Sequence, residues 1–313
     1  MDIKVKLHEL VRSWGVSTFS ERIALQWLER CLGSDDDCDV FCRLRKWLVL
    51  QLNQRRIPAD CSHAQWQIGC PELIPLLRAT PVWDCNEFPW VKTLESSAAV
   101  IKEELLSLKN RPQSTFQPYR APSWASDVSA KDGLGTAGHD AGDWNVLYLF
   151  LHNVDFRRNR DLCPKTAAVI EAIGDHYDHS FFSALAPRTH VKKHHGPTNK
   201  KLRCHLPLVV PEGQCRLRAG EEVVDVQEGK CFIFDDSFEH EAWNEDDTRS
   251  RIVLIIDVWH PDLSAQERKF LAFLRNARLR MDKTMSQNSD DNFYSIIKKT
   301  GEANASPHEA VWS

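Results

Sequence analysis

The chain has 313 residues, 42% of them hydrophobic, which is enough for a sizeable core and excludes a disordered polymer. Lys and Arg number 40 against 44 Asp and Glu, a net charge of -4 with no long single-sign block, so the basic stripe of a nucleic-acid binder is missing. Apolar runs such as Val146 to Leu151 and Ile252 to Ile256 are too short to cross a bilayer, and the polar start Met1-Asp-Ile-Lys-Val-Lys resembles no secretory signal. These features predict a cytoplasmic or otherwise intracellular soluble protein with no nucleic-acid partner and no membrane span.

Residues 1 to about 80 read as a helical N-terminal region. Thr18-x-x-Glu21 has capping-box spacing, and Ile23, Trp27, Leu28 and Cys31 follow at helical intervals with Gly33 as the stop. Val40, Phe41, Leu44, Trp47 and Leu48 form the apolar stripe of a second helix that ends by Arg55, Arg56 and Pro58, and Pro71 to Ile74 begins a further short helical piece. Between about 110 and 142 the chain collects Pro112, Pro118, Pro122, Gly133, Gly135, Gly138 and Gly142, the composition of long surface loops. Such loops often border active sites, and Tyr119, Arg120 and Trp124 are candidates to line a substrate groove. The ten cysteines contain no C-x-x-C pair and read as free thiols in a reducing compartment; without a signal peptide the sequon Asn304-Ala305-Ser306 is discounted.

From Trp144 onward, short apolar runs with alternation predict antiparallel strands, within a domain spanning about 82 to 275. Leu202, Cys204, Leu206, Leu208 and Val210 share one face of such a strand, with Arg203 and His205 on the other. A strand buried on both faces that points a cation and an imidazole inward predicts a barrel interior holding a small polar ligand. Asn244 to Thr248 reads as a hairpin loop, returning Arg251 to Trp259 as a strand with Arg251, Val253 and Ile255 beside Ala242 and His240. Ser264-x-x-Glu267 caps a last helix carrying Phe270, Leu271, Leu274 and Leu279, and 283–313 reads as a polar, flexible tail.

His194, and His240 46 residues later, come from different strands and are able to supply adjacent positions on one metal. Non-haem iron oxygenases commonly add a carboxylate, but the residue two after His194 is Gly196, so either water takes that place or no productive iron site exists. Arg203, His205 and Arg251 project toward the same interior, where donors without a ligand carry a heavy desolvation cost that a small dicarboxylate would relieve. The alternative is that Arg251 pairs structurally with Asp235, Asp236 or Asp257.

The motifs H-x-G-P-T-N (His194 to Asn199), L-R-x-H-L (Leu202 to Leu206), I-F-D-D-S-F-E-H-E-x-W (Ile233 to Trp243) and D-V-W-H-P (Asp257 to Pro261) stand in order in this chain. With G-D-W at Gly142 to Trp144 and P-K-T at Pro164 to Thr166, they resemble the catalytic core of the aspartyl/asparaginyl β-hydroxylase family over roughly residues 82 to 270. That resemblance implies an α+β fold with a double-stranded β-helix (jelly-roll, cupin-like) core and flanking helices. It implies Fe(II), 2-oxoglutarate and O2 as cofactor and cosubstrates, with hydroxylation of the β-carbon of Asp or Asn in a polypeptide and release of succinate and CO2.

By the same resemblance His194 and His240 are the catalytic metal ligands and Gly196 is the family's own glycine in place of a third. Arg251, aided by Ser183, matches the grip on the C5 carboxylate of 2-oxoglutarate; Arg203 and His205 match donors around its C1 carboxylate; Asp236 is a weaker candidate to position water at the iron. His195 departs from the small residue usual there, and Arg249, of the same parity, competes with Arg251. The rival readings are a non-catalytic binding module on the same fold, a hydroxylase of a lipid or small molecule, and a zinc hydrolase, which lacks a third protein ligand.

Overall fold

The alternating segments become two antiparallel sheets in the computed structural model, which describes residues 3–33, 41–53, 64–111, 116–120, 135–152, 154, 156–286 and 311–312. In chain order the strands are β1 (Val82–Trp83), β2 (Gln117–Pro118), β3 (Trp144–Leu151), β4 (His176–Leu185), β5 (Thr189–His194), β6 (Lys201–Val209), β7 (Cys215–Ala219), β8 (Glu222–Asp225), β9 (Phe232–Phe234), β10 (His240–Asn244) and β11 (Arg251–Trp259). The larger sheet runs β1-β9-β6-β11-β4-β3-β2 and the smaller β5-β10-β7-β8. They pack face to face: Val191 and Ala242 of the small sheet meet Val253 and Ile255 of the large one, and Leu217 and Ala219 meet Phe232 and Phe234. This is the jelly-roll core of a double-stranded β-helix, with helices outside it.

The period-2 reading holds for β11 and for β6 as far as Leu208; at the register shift opposite Ile252 the alternation breaks, so Val209 packs with the outer core and Val210, expected beside Leu208, with the inner one. Leu202, Cys204, Leu206 and Leu208, with Ile252, Leu254 and Ile256, pack outward under α4 (Val91–Ser96), α5 (Ala98–Ser107) and α7 (Pro164–Glu171). Arg203, His205 and Arg251 are left on the inner face, all buried. The hairpin expected between β10 and β11 does not form. β10 pairs with β5 and β7 while β11 pairs with β4 and β6, so residues 245–250 carry the chain from one sheet to the other. The Asn244 side-chain amide holds this crossing by donating to the carbonyls of Leu185, Ala186 and Arg249. His240 and Arg251 therefore line one interior from opposite sheets rather than lying side by side on one.

The N-terminal region contains α1 (Ile3–Ser13), which no capping signal announced, then α2 (Thr18–Gly33) and α3 (Cys42–Leu52). The cap of α2 is Ser17, whose hydroxyl accepts the Ser20 N–H at 3.3 Å, one residue earlier than the Thr18 spacing suggested. α3 buries Leu44, Trp47 and Leu48 as expected, whereas Val40 and residues 54–63 lie outside the described residues. Pro71 to Ile74 is not helical: Glu72 forms a parallel bridge to Thr198, and the amide side chain of Asn199 bonds both the N–H and the carbonyl of Ile74.

The Ser264–Glu267 capping box is present and opens the last helix, α8 (Ala265–Ser286). The buried Glu267 carboxylate also accepts the N–H groups of Arg43 and Leu44, so one side chain caps both α8 and α3. Leu28, Leu44 and Leu48 share a core with Phe270, Leu271 and Leu274, which seats the N-terminal helices on α8. The extreme end of the expected flexible tail is instead packed: Val311 is buried and Trp312 meets Phe116 edge-on at 6.0 Å. Trp124, the sequon and residues 287–310 lie outside the described residues. α6 (Arg157–Leu162) bridges β3 and α7, and no helix among the described residues is long and apolar enough to cross a membrane.

Candidate active site

His194 ends β5 and His240 begins β10, and the two are register partners with ring centroids 4.1 Å apart. Nδ1 of His194 lies 2.8 Å from the Lys192 carbonyl, and Nδ1 of His240 lies 2.8 Å from that of Phe238. A carbonyl only accepts, so both Nδ1 atoms carry the proton and both Nε2 atoms keep a lone pair. Burial pushes the His194 imidazole down to about 4 and holds His240 well below its ordinary value, so both rings are neutral at neutral pH. Two neutral imidazoles, each oriented by a carbonyl, have the tautomer and support that a metal demands.

Across the interior from this pair stands a second polar group. Arg251 is 2% exposed, and among the described residues no carboxylate pairs with it. Its Nη2 donates to Nδ1 of His205 at 3.3 Å, which fixes the proton of His205 on Nε2. That Nε2 and Nε of Arg251 are both buried without a partner. Burial lowers the Arg251 guanidinium to about 10, and burial together with the Arg251 charge keeps His205 neutral. Ser183 faces the same way: it opposes Val253, two positions along β11 from Arg251, and its hydroxyl accepts from the Trp144 indole at 3.0 Å. Phe234 links the two groups, its ring 5.3 Å from both His205 and His240.

Arg203 does not join these open donors. Its Nε and Nη2 form a fork with Asp257 at 2.8 and 3.0 Å, and its Nη1 reaches Asp236 at 3.5 Å. The structural ion pair considered for Arg251 is thus made by Arg203. Lys201, buried on the same strand, bridges Asp236 at 2.6 Å and Asp257 at 3.1 Å, and His179 donates to Asp257 at 2.8 Å. Two cations and two carboxylates cancel within one buried cluster. Burial by itself would raise Asp257, but Arg203 and Lys201 hold it well below the usual carboxylate range. Arg249, the rival to Arg251, is exposed and forked onto Asp246.

Gly196 explains why no third side-chain ligand follows His194. A Cβ built there would fall 2.4 Å from Cγ of Asp236, so a carboxylate from the turn between β9 and β10 occupies the space a side chain would need. Oδ1 of that carboxylate is buried without a partner. The unusual His195 is accommodated in the same manner by Gly69, where a Cβ would lie 2.5 Å from the imidazole.

Residues 64–74, read from sequence as part of a helical prelude, form one short helical turn at Ala64–Trp66 and otherwise pack against residues that flank this site. The Trp66 carbonyl accepts from His195 and from the Glu239 N–H, and Gln67 donates to Ser237 at 2.7 Å. No local pattern could reveal contacts spanning 125 or more residues. Lys201 was equally hidden, because Lys-Lys before a strand reads as solvated surface; only its parity with Arg203 and His205 pointed inward. Among the described residues no group of three or more His, Cys, Asp or Glu could hold a metal ion.

Comparison with known proteins agrees with the motif reading. The family model described as aspartyl/asparaginyl beta-hydroxylase matches residues 95–261. The human aspartyl/asparaginyl beta-hydroxylase is 36% identical over 205 residues, 62% of this chain and 24% of that protein, so the matched stretch spans about a quarter of the relative. The ornithine lipid ester-linked acyl 2-hydroxylase of Rhizobium tropici is also 36% identical, over 58% of this chain and 61% of that protein. A Trichoplax adhaerens prolyl hydroxylase solved with a hypoxia inducible factor peptide superposes loosely, with a TM-score of 0.35 at 10% identity over 54% of this chain and 81% of that one.

Proposed function

Because the chain belongs to the aspartyl/asparaginyl β-hydroxylase family, we propose that it is an Fe(II)- and 2-oxoglutarate-dependent oxygenase that hydroxylates a C–H bond. His194 and His240 hold the metal through Nε2, Arg251 and Ser183 receive the far carboxylate of 2-oxoglutarate, and His205, which the resemblance assigned to the near carboxylate, joins them at the far one because its Nδ1 accepts from Arg251. The observation that carries this reading is the buried Arg251 guanidinium, whose Nε faces the interior unpaired beside the equally unpaired Nε2–H of His205. A cation so placed is costly unless an anion completes it, and a diacid that also reaches the two imidazoles supplies both ends.

Bound Fe(II) with 2-oxoglutarate and O2 supplies a balanced oxidation, in which decarboxylation yields succinate and CO2, one oxygen atom enters succinate and the other becomes the substrate hydroxyl. The protein's share is orientation. The planar guanidinium of Arg251 offers paired donors that an ammonium lacks. Asp236, held by Lys201 and Arg203, fills the space a side chain at Gly196 would need and keeps Oδ1 available to accept from a water beside the two imidazoles.

Polypeptide Asp or Asn is the substrate class that the name of the human relative favours; the equal identity to the Rhizobium tropici enzyme supports a lipid acyl chain as the second reading. Anaerobic addition of Fe(II) and 2-oxoglutarate should develop the weak metal-to-ligand absorption band, and its absence overturns the cofactor assignment. Succinate release against Asp- and Asn-containing peptides and against ornithine-lipid micelles then separates the two substrates. A band without succinate from either would favour a non-catalytic binding module.

A further inference from the structure

We infer that Trp144 is a positioning residue for the far carboxylate of the cosubstrate, acting through Ser183; this rests on the 2-oxoglutarate reading above. Register places it for that work. Trp144 opposes Leu185 on β4 and Leu185 opposes Arg251 on β11, while two residues along β4 Ser183 stands between Val146 and Val253. Ser183 therefore lies diagonally between Trp144 and Arg251 on the inner face. It is 4% exposed, in a row whose other members there are Val146, Leu185 and Val253.

A hydroxyl in such surroundings has one proton to give and lone pairs to fill, and by itself it is free to rotate. The indole N–H is a donor only, and at 3.0 Å it fills a lone pair of Ser183. The hydroxyl proton is thereby turned away from the indole and kept available on the side of Arg251. The indole cannot swing to another acceptor, because it stacks on Tyr119 with centroids 3.8 Å apart and planes 11° apart, and its other neighbour is the His194 ring at 6.2 Å. One tryptophan thus touches the supports of both ends of the proposed cosubstrate.

The test uses the full chain loaded with redox-inert Mn(II) and calorimetric titration of 2-oxoglutarate, with oxalate as a chelating anion that lacks a distal carboxylate. Trp144→Phe keeps a ring against Tyr119 but removes the N–H, and should weaken 2-oxoglutarate about fivefold, the worth of one neutral hydrogen bond. Ser183→Ala should weaken it at least as much, and the double variant no more than Ser183→Ala, since both act on one contact. Oxalate should bind all four proteins alike. Unchanged 2-oxoglutarate affinity in Trp144→Phe, additive losses, or an equal loss for oxalate overturns the inference while leaving the cosubstrate reading intact. Failure of the unaltered protein to bind 2-oxoglutarate overturns both. Trp144→Tyr repeats the test with the stack retained should Trp144→Phe not fold.

Discussion

Arg249 and Arg251 have the same parity, yet Arg249 lies in the crossing before β11, forked onto Asp246 at the surface, and Arg251 is buried on the strand without a counter-ion among the described residues. Proximity to the turn is what separates them. Arg251→Lys keeps the charge and loses the fork, so 2-oxoglutarate should bind roughly 10- to 100-fold more weakly while metal affinity is unchanged, as titration of each ligand will reveal. Asp235 makes a separate prediction. Burial pushes its carboxyl up to about 7 from 3.8, so it contributes stability below its unfolded value that is lost as pH rises through about 7. Asp235→Asn should gain stability relative to the unaltered protein at pH 8 but not at pH 4, measured as the difference in urea midpoints.

At the scale of elements, glycines mark where the chain folds too tightly for a side chain. Gly142 has φ +62 and a Cβ there would fall 2.0 Å from the Thr189 hydroxyl, whereas Gly213 has φ +69 with open space around it. Gly213→Ala should cost about 1 kcal/mol from backbone strain alone, and Gly142→Ala about 2–4 kcal/mol because β5 must also give way, as urea unfolding of both variants will measure. Strand faces were legible because alternation is a local property: Leu202 to Leu208 and Arg251 to Ile255 needed only their spacing. Which strands pair was not. The turn-like composition of Asn244 to Thr248 fits a hairpin and a sheet-to-sheet crossing equally well, and the side-chain clasp of Asn244 on Leu185 and Ala186 decides it from about 60 residues away. The His195 departure likewise made sense only once Gly69 was found beneath it.

For the whole molecule, seven described histidines, His152, His176, His179, His194, His205, His240 and His260, are held below 6.5, with burial the first cause in each. The unfolded chain takes up these protons below about pH 6.5 and the folded one does not, so stability should fall on acidification. Seven groups outweigh the opposite trend of Asp235 alone. The melting temperature of the metal-free protein should be lower at pH 5 than at pH 7.5 by circular dichroism. The helical prelude was legible as helix but not as neighbour, because Glu267 joins α3 to α8 across more than 220 residues.

The division of labour between the sheets has a mechanical outcome. Both imidazoles belong to the four-stranded sheet, while Ser183, His205 and Arg251 belong to the seven-stranded one. A diacid seated between them is a rivet through two plates, resisting their parting where either fastening by itself holds one plate only. Mn(II) alone should therefore slow amide exchange in β5 and β10, and Mn(II) with 2-oxoglutarate should slow it in β4, β6 and β11 as well; protection confined to one sheet in both cases would mean that nothing spans the gap.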